Sequence, residues 1–151
     1  MRFYGCLVLG LLALAAPAVQ QEKPAEKKAE PRVLKVKLHY TGSGQVDSKH
    51  PIFLFLFDSP DFVQGNVMPI GAASASAKDE TVIFSDVAQS PVYVVTAYDP
   101  QGNYDGQSGP PPTGSSMGMY FKTPGTPEPV KIEPGQSVQI ELAFDDSVKM
   151  Q

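Results

Sequence analysis

The chain has 151 residues and a formal net charge of −4, and 42% of its residues are hydrophobic. This length allows one domain of ordinary size, and the apolar fraction is sufficient for a core, which excludes a wholly disordered chain. Glycine (13) and proline (15) are abundant and only 19% of residues are charged, which argues against a helical bundle, a coiled coil and a basic nucleic-acid-binding protein.

The N-terminus has the pattern of an export signal. Arg2 precedes an apolar run, Leu7 to Ala16, that is long enough for a signal peptide and too short to span a bilayer. Ala16-Pro17-Ala18 has the small-x-small form of a cleavage site. We therefore predict a signal peptide over residues 1–18 and an exported protein, periplasmic or secreted, with no membrane span in its mature chain. The single cysteine, Cys6, would leave with the signal, so no disulfide would support the core.

A charged linker is predicted over residues 19–32, followed by one domain over residues 33–147. The linker is rich in Lys, Glu, Ala and Pro and has no aromatic residue, so it has too little apolar surface to order itself.

From Val33 onward, apolar residues recur with a period of two, which is typical of β-strands with one buried face. Seven or eight short strands separated by turn-forming residues predict an all-β sandwich or barrel. The predicted strands span residues 33–40, 52–57, 67–75, 81–84, 92–98, 117–122, 130–132 and 138–144.

Three segments, taken in order, resemble motifs of the transthyretin-like β-sandwich: Pro51–Phe57 (PIFLFLF), Phe84–Val87 (FSDV) and Tyr93–Asn103 (YVVTAYDPQGN). More narrowly, the chain is similar to carboxypeptidase regulatory-like domains and to the small exported bacterial proteins related to them, over about Val33 to Phe144. The resemblance implies a seven- to eight-stranded antiparallel β-sandwich. It also implies a domain without catalysis, which binds, spaces or assembles other parts.

The loop after the fifth predicted strand carries three oxygen-bearing side chains, Asp99, Asn103 and Asp105, at near-alternate spacing. Calcium takes six to eight oxygen ligands, so this loop is a candidate metal site, and no other cofactor is indicated. The other interpretation is a turn in which these side chains cap their own backbone. With a sugar-binding platform of Tyr98, Tyr104, Tyr120 and Phe121, the calcium hypothesis gives an alternative function: a calcium-dependent carbohydrate-binding or cell-surface structural module.

No catalytic site is predicted. Gly114–Gly118 matches the G-x-S-x-G pattern around Ser116, but that motif requires a strand before it and a helix after it. Here three prolines precede it and a strand-like segment follows. Met117 and Met119 would lie on one side of that strand, and we interpret them as core-filling residues and not as a soft-metal site.

The second predicted strand is apolar on both faces, because Ile52, Leu54 and Leu56 alternate with three phenylalanines. One face must lie outside the core, although burying each ring is worth on the order of 2 kcal/mol. We expect the chain to cover that face itself, with residues 106–114 or with Phe62 and Val63; a protein partner is the alternative. The candidate ligand or partner face comprises Phe53, Phe55, Phe57, Tyr93, Tyr98, Tyr104 and Tyr120.

From Val33 onward the chain has seven lysines and no arginine against 13 acidic residues, so nucleic acid is excluded as a partner on electrostatic grounds. The sequence thus predicts an exported, non-catalytic β-sandwich that binds a protein or a carbohydrate.

Overall fold

The computed structural model describes residues 30–65 and 67–151. The predicted signal peptide and the linker up to residue 29 lie outside these ranges. Within them, no helix is both long and apolar enough to cross a membrane.

The described chain is all-β, with seven strands and one short 3₁₀ helix, Pro60–Gln64. This confirms the prediction of an all-β fold with seven or eight short strands. The strands are β1 (Val33–Tyr40), β2 (Ile52–Phe57), β3 (Gly71–Ala75), β4 (Thr81–Phe84), β5 (Tyr93–Tyr98), β6 (Ser116–Met119) and β7 (Ser137–Phe144).

Two sheets share one core. The first sheet has the order β4-β1-β7 and the second the order β3-β2-β5-β6. The alternating apolar residues of β1 and β7 in the first sheet meet the inner residues of β2 and β5 in the second, as in a β-sandwich. The most deeply buried large side chains include Leu34, Leu38, Ile52, Leu54, Tyr98, Ile132 and Leu142.

The prediction of an entirely antiparallel sandwich is wrong in one pairing, since β1 and β7 are parallel over their whole length. The other strand pairs are antiparallel. Parallel neighbours need a long crossover connection, and the whole second sheet and β4 lie between β1 and β7 in the chain. The periodicity of each strand does not contain its direction, so the sequence alone did not reveal this pairing.

Three predicted strands change by more than one residue. β3 begins at Gly71, after Pro69, which has no N–H for a sheet hydrogen bond. β6 ends at Met119 instead of residue 122. Residues 130–132 form only an isolated bridge, in which Val130 pairs with Val92.

The contacts of the domain extend slightly beyond its predicted bounds at both ends. Arg32, assigned to the linker, donates from Nε to the Ile132 carbonyl at 3.0 Å. At the other end, the Met117 N–H donates to the Val148 carbonyl at 2.9 Å, and the Met150 N–H to the Ser115 carbonyl at 2.9 Å. The segment 148–150 therefore lies along β6 like a short extra strand.

Candidate binding groove

The outward side of the second sheet, called here the outer face, is apolar across three strands. On β2, Phe53, Phe55 and Phe57 alternate with the core residues Ile52, Leu54 and Leu56. In one row across the sheet, Phe55 pairs with Val95, which pairs with Met119. In a second row, Phe53 pairs with Ala97, which pairs with Met117. Because directly paired residues share a face, two apolar rows run across the sheet.

The loop after β5 covers one part of the outer face. The Tyr104 ring meets the Phe53 ring edge-on, with centroids 5.2 Å apart, and its hydroxyl donates to the Gly109 carbonyl at 3.0 Å. Gly106 has φ +75° and lies so close to the Phe53 ring that a Cβ would stand 2.5 Å from it. As a result, Phe55 is only 5% exposed.

The 3₁₀ helix covers another part. Ser59 caps it by accepting the Asp61 N–H, and Gly65 ends it in the left-handed conformation. This fixes Phe62 over Phe57, with nearly parallel rings whose centroids are 4.9 Å apart, and near Tyr93 at 6.3 Å. The predicted self-coverage by residues 106–114 and by Phe62 is therefore confirmed, but only for the two ends of the outer face. The side chain of Val63, also predicted to cover it, is not among the described ones.

Between these two covers lies an open groove of about 940 Å³. Its floor is Phe55, Phe57, Val95, Met117 and Met119. Further lining residues come from the loop after β5, from the segment after the 3₁₀ helix and from the C-terminal segment; they include Tyr104, Pro110, Pro111, Phe62, Met68, Pro69, Phe121, Val148 and Met150. Three of these are among the exposed large apolar residues of the described chain: Met68 (78% exposed), Val148 (57%) and Phe121 (42%).

Methionine is the characteristic residue of this groove. All four methionines of the described chain, Met68, Met117, Met119 and Met150, line it, although they come from three separate segments. Met117 and Met119 were predicted to fill the core; they lie instead on the outer face and are only partly buried. Unbranched, polarisable side chains adapt to differently shaped apolar surfaces, which suits a binding surface more than a fixed core.

Asp146 fixes the C-terminal segment next to the groove. Its carboxylate accepts hydrogen bonds from Ser116 Oγ and Tyr40 Oη, both at 2.6 Å, and from the Ser43 N–H at 2.8 Å, while Lys149 Nζ lies at 3.3 Å. These hydrogen bonds, above all those from Ser116 and Tyr40, hold the pKa of Asp146 well below its usual range. Burial, together with the bond to Asp146, raises the pKa of Tyr40 to about 12.

The same contacts explain what Ser116 does. Its hydroxyl donates to Asp146 and accepts a hydrogen bond from the Lys149 ammonium at 2.7 Å. An ammonium that donates in this way has no lone pair to take the serine proton. The other partner of Ser116, the Asp146 carboxylate, is a weak base because its pKa is lowered. The fully buried Ser116 therefore makes contacts that tie β6 to the C-terminal segment.

The calcium candidates are engaged with their own loop. The Asp99 carboxylate is buried and accepts the N–H groups of Gln101, Asn103 and Tyr104 at 2.8–3.1 Å. Asp105 accepts the N–H groups of Gln107 and Ser108 at 2.8 Å and the Ser108 hydroxyl at 2.6 Å, and these bonds lower its pKa to about 2. Each carboxylate caps a separate turn, and within the described chain no cluster of three His, Cys, Asp or Glu residues is suited to a metal ion.

The structure divides the predicted ligand or partner face. Phe53, Phe55, Phe57, Tyr93 and Tyr104 come together on the outer face. Tyr98 lies on the opposite side of β5, 1% exposed in the core, where its hydroxyl donates to the Gln45 carbonyl. Tyr120 also packs against the core, so Tyr98, Tyr104, Tyr120 and Phe121 do not form the predicted sugar-binding platform.

Sequence reasoning missed Met68 and Met150 as groove residues and Asp146 as an anchor. The paired spacing of Met117 and Met119 was the one local signal for the methionine cluster. Asp146 and Tyr40 are 106 positions apart, and no local pattern connects them.

Comparison with known protein families, with curated proteins and with solved structures finds no match for this chain.

Proposed function

We propose that this protein is an exported, non-catalytic binding module with a transthyretin-like β-sandwich, and that its ligand occupies the groove on the outer face. The observation that carries the proposal is the groove itself: about 940 Å³ of open space above an apolar floor. Small-molecule sites commonly measure about 300–1,000 Å³ and have mostly apolar walls. An uncovered apolar surface of this kind marks a site of interaction.

Two further observations support a binding role over the alternatives. The hydroxyl of Ser116, the serine of the G-x-S-x-G pattern, donates a hydrogen bond to Asp146 and accepts one from Lys149. The carboxylates of Asp99 and Asp105 accept backbone N–H groups of their own loop, as in turns stabilised by an aspartate side chain, so we favour the groove over this loop as the binding site. Export rests on the sequence of residues 1–18.

The test is binding of N-phenylnaphthylamine, a neutral apolar dye whose fluorescence rises in apolar surroundings. We expect saturable binding by the wild-type protein. Met119→Arg places a charge on the groove floor and should weaken binding about tenfold or more, because it removes apolar contact and adds a charge that must lose water.

Ile83→Arg is the matched control. Ile83 is 53% exposed on β4, in the other sheet, so the same chemical change lies away from the groove and should leave dye binding intact. Circular dichroism would verify that both variants fold. Dye binding that is absent in the wild type, or equal in Met119→Arg, would refute the groove as the binding site.

A further inference from the structure

We infer that the groove takes a small cationic amphiphile, a molecule with one flexible apolar chain and a positively charged head group. This inference rests on the proposed function and adds the chemical class of the ligand. Two properties of the groove carry it: an adaptable apolar floor and a border whose unpaired charges are negative.

The floor suits a flexible chain. Phe55, Phe57 and Val95 give a flat apolar base, and Met117 and Met119 add flexible thioether side chains beside it. Methionine packs against irregular or mobile apolar partners because it has three rotatable bonds and a polarisable sulfur. The volume, about 940 Å³, belongs to the range of small-molecule sites.

The charge that the structure places in the groove is negative. Of the described residues that line the groove, Asp145 alone is charged. Three further aspartates are sequence neighbours of lining residues: Asp58 follows Phe57, Asp61 precedes Phe62, and Asp105 lies between Tyr104 and Gly106. Hydrogen bonds from Ser147 lower the pKa of Asp145, which keeps this carboxylate ionised at neutral pH.

The two lysines next to lining residues each pair with an acid. Lys122, next to the lining residue Phe121, pairs with Glu128 at 2.7 Å, and Lys149, next to Val148 and Met150, lies 3.3 Å from Asp146. Neither Asp145 nor any of the three neighbouring aspartates, Asp58, Asp61 and Asp105, forms an ion pair within the described chain. The border therefore attracts a cationic head group and repels an anionic one.

The experiment is displacement of the bound dye by three amphiphiles with the same dodecyl chain: dodecyltrimethylammonium, dodecyl maltoside and dodecyl sulfate. Each is used below its critical micelle concentration and at low ionic strength. We expect the cationic amphiphile to displace the dye at a concentration about fivefold or more below that of the anionic one, with the neutral one between them. Added salt should reduce the difference, since the border is exposed to solvent.

The variant Asp58→Asn/Asp145→Asn tests the source of the preference, and Glu141→Gln, an exposed acid on β7, is its control. In the double variant, the ratio between the anionic and the cationic displacing concentrations should fall toward one, whereas the control should keep the ratio of the wild type. Sedimentation velocity under the same conditions would show whether a second copy of the chain covers the groove.

The outcomes separate this inference from the proposed function. If the dye binds but the three amphiphiles displace it equally, or the anionic one does so best, the cationic class is refuted and the groove remains a binding site. If the dye does not bind at all, the proposed function is refuted, and the inference about the ligand class is refuted with it. A dimer that Met119→Arg dissociates would identify a second copy as the occupant and overturn the inference.

Discussion

Asp146 is the residue on which the most distant parts of the described chain converge. Tyr40 ends β1, Ser43 lies in the following loop, Ser116 begins β6, and all three donate hydrogen bonds to its carboxylate. Hydrogen bonds to an ionised acceptor are stronger than those between neutral groups. The cluster therefore joins the two sheets at the end of the sandwich where the C-terminal segment meets β6.

We predict that Asp146→Asn lowers the free energy of unfolding by about 2 kcal/mol at pH 7, because it removes the charge that these donors stabilise. Folding lowers the pKa of Asp146, so its contribution is complete above the pKa of the unfolded chain, about 3.9. It is lost as the pH falls from about 5 toward the folded value, where the carboxylate becomes protonated.

Urea unfolding between pH 2 and pH 7 measures this effect. The difference between wild type and Asp146→Asn should shrink steadily with acidification, while Glu141→Gln, an exposed carboxylate, should follow the wild type throughout. A difference that stays constant with pH would contradict the role assigned to the charge.

At the scale of single elements, β6 shows how one short strand serves two surfaces. Met117 and Met119 face the groove, whereas Ser116 and Gly118 face inward. Gly118 lets the strand approach the core closely, since a Cβ there would lie 2.6 Å from both Phe144 Cβ and Thr96 Oγ1. Because Gly118 has no side chain, β6 can lie close to the core, and the part of the groove floor formed by Met117 and Met119 lies close to it as well.

Gly118→Ala should destabilise the protein by about 1–3 kcal/mol, because Phe144 Cβ is fixed by its own strand and overpacking must displace β6. Gly71→Ala is the matched control, a glycine on β3, the other edge strand of the same sheet, where the nearest atom to a new Cβ is Leu56 Cδ1 at 3.4 Å. Thermal unfolding would measure both variants. We expect a change within about 0.5 kcal/mol for the control, and equal effects of the two changes would refute the close-packing explanation.

At the scale of the whole molecule, the described chain holds its two sheets together by apolar packing and hydrogen bonds. The core extends from Leu34 to Phe144, and the single cysteine of the sequence, Cys6, lies outside the described residues. A domain of this size buries enough surface to fold without a cross-link.

We therefore predict that a chain beginning at Glu30 unfolds in one cooperative transition. Its melting temperature should lie within about 2 °C of that of the full chain, which corresponds to a difference of less than about 1 kcal/mol in the free energy of unfolding. Reducing agent should not change either midpoint. Differential scanning calorimetry of both chains, with and without dithiothreitol, checks this. A clearly lower midpoint for the shorter chain would show that the residues before Glu30 contribute to stability.

The sequence predicted the elements better than their assembly. Strands β1, β2, β4 and β5 follow from period-two or continuous apolar runs bounded by turn residues, and the structure confirms them with small changes at the ends. The sequence alone predicted that both faces of β2 are apolar and that Phe62 covers part of the outer face. The site was predicted only in part, since Tyr98 was placed on the outer face but lies in the core.

The sequence by itself determined an all-β chain, an apolar surplus on β2 and an acidic surface, because composition and alternation are local properties. Only the tertiary structure decided the parallel pairing of β1 with β7, the gathering of four methionines in one groove and the contacts of Asp146. Each of these joins residues that are far apart in the chain. Such contacts depend on how the strands pack together, which the period of a single strand does not encode.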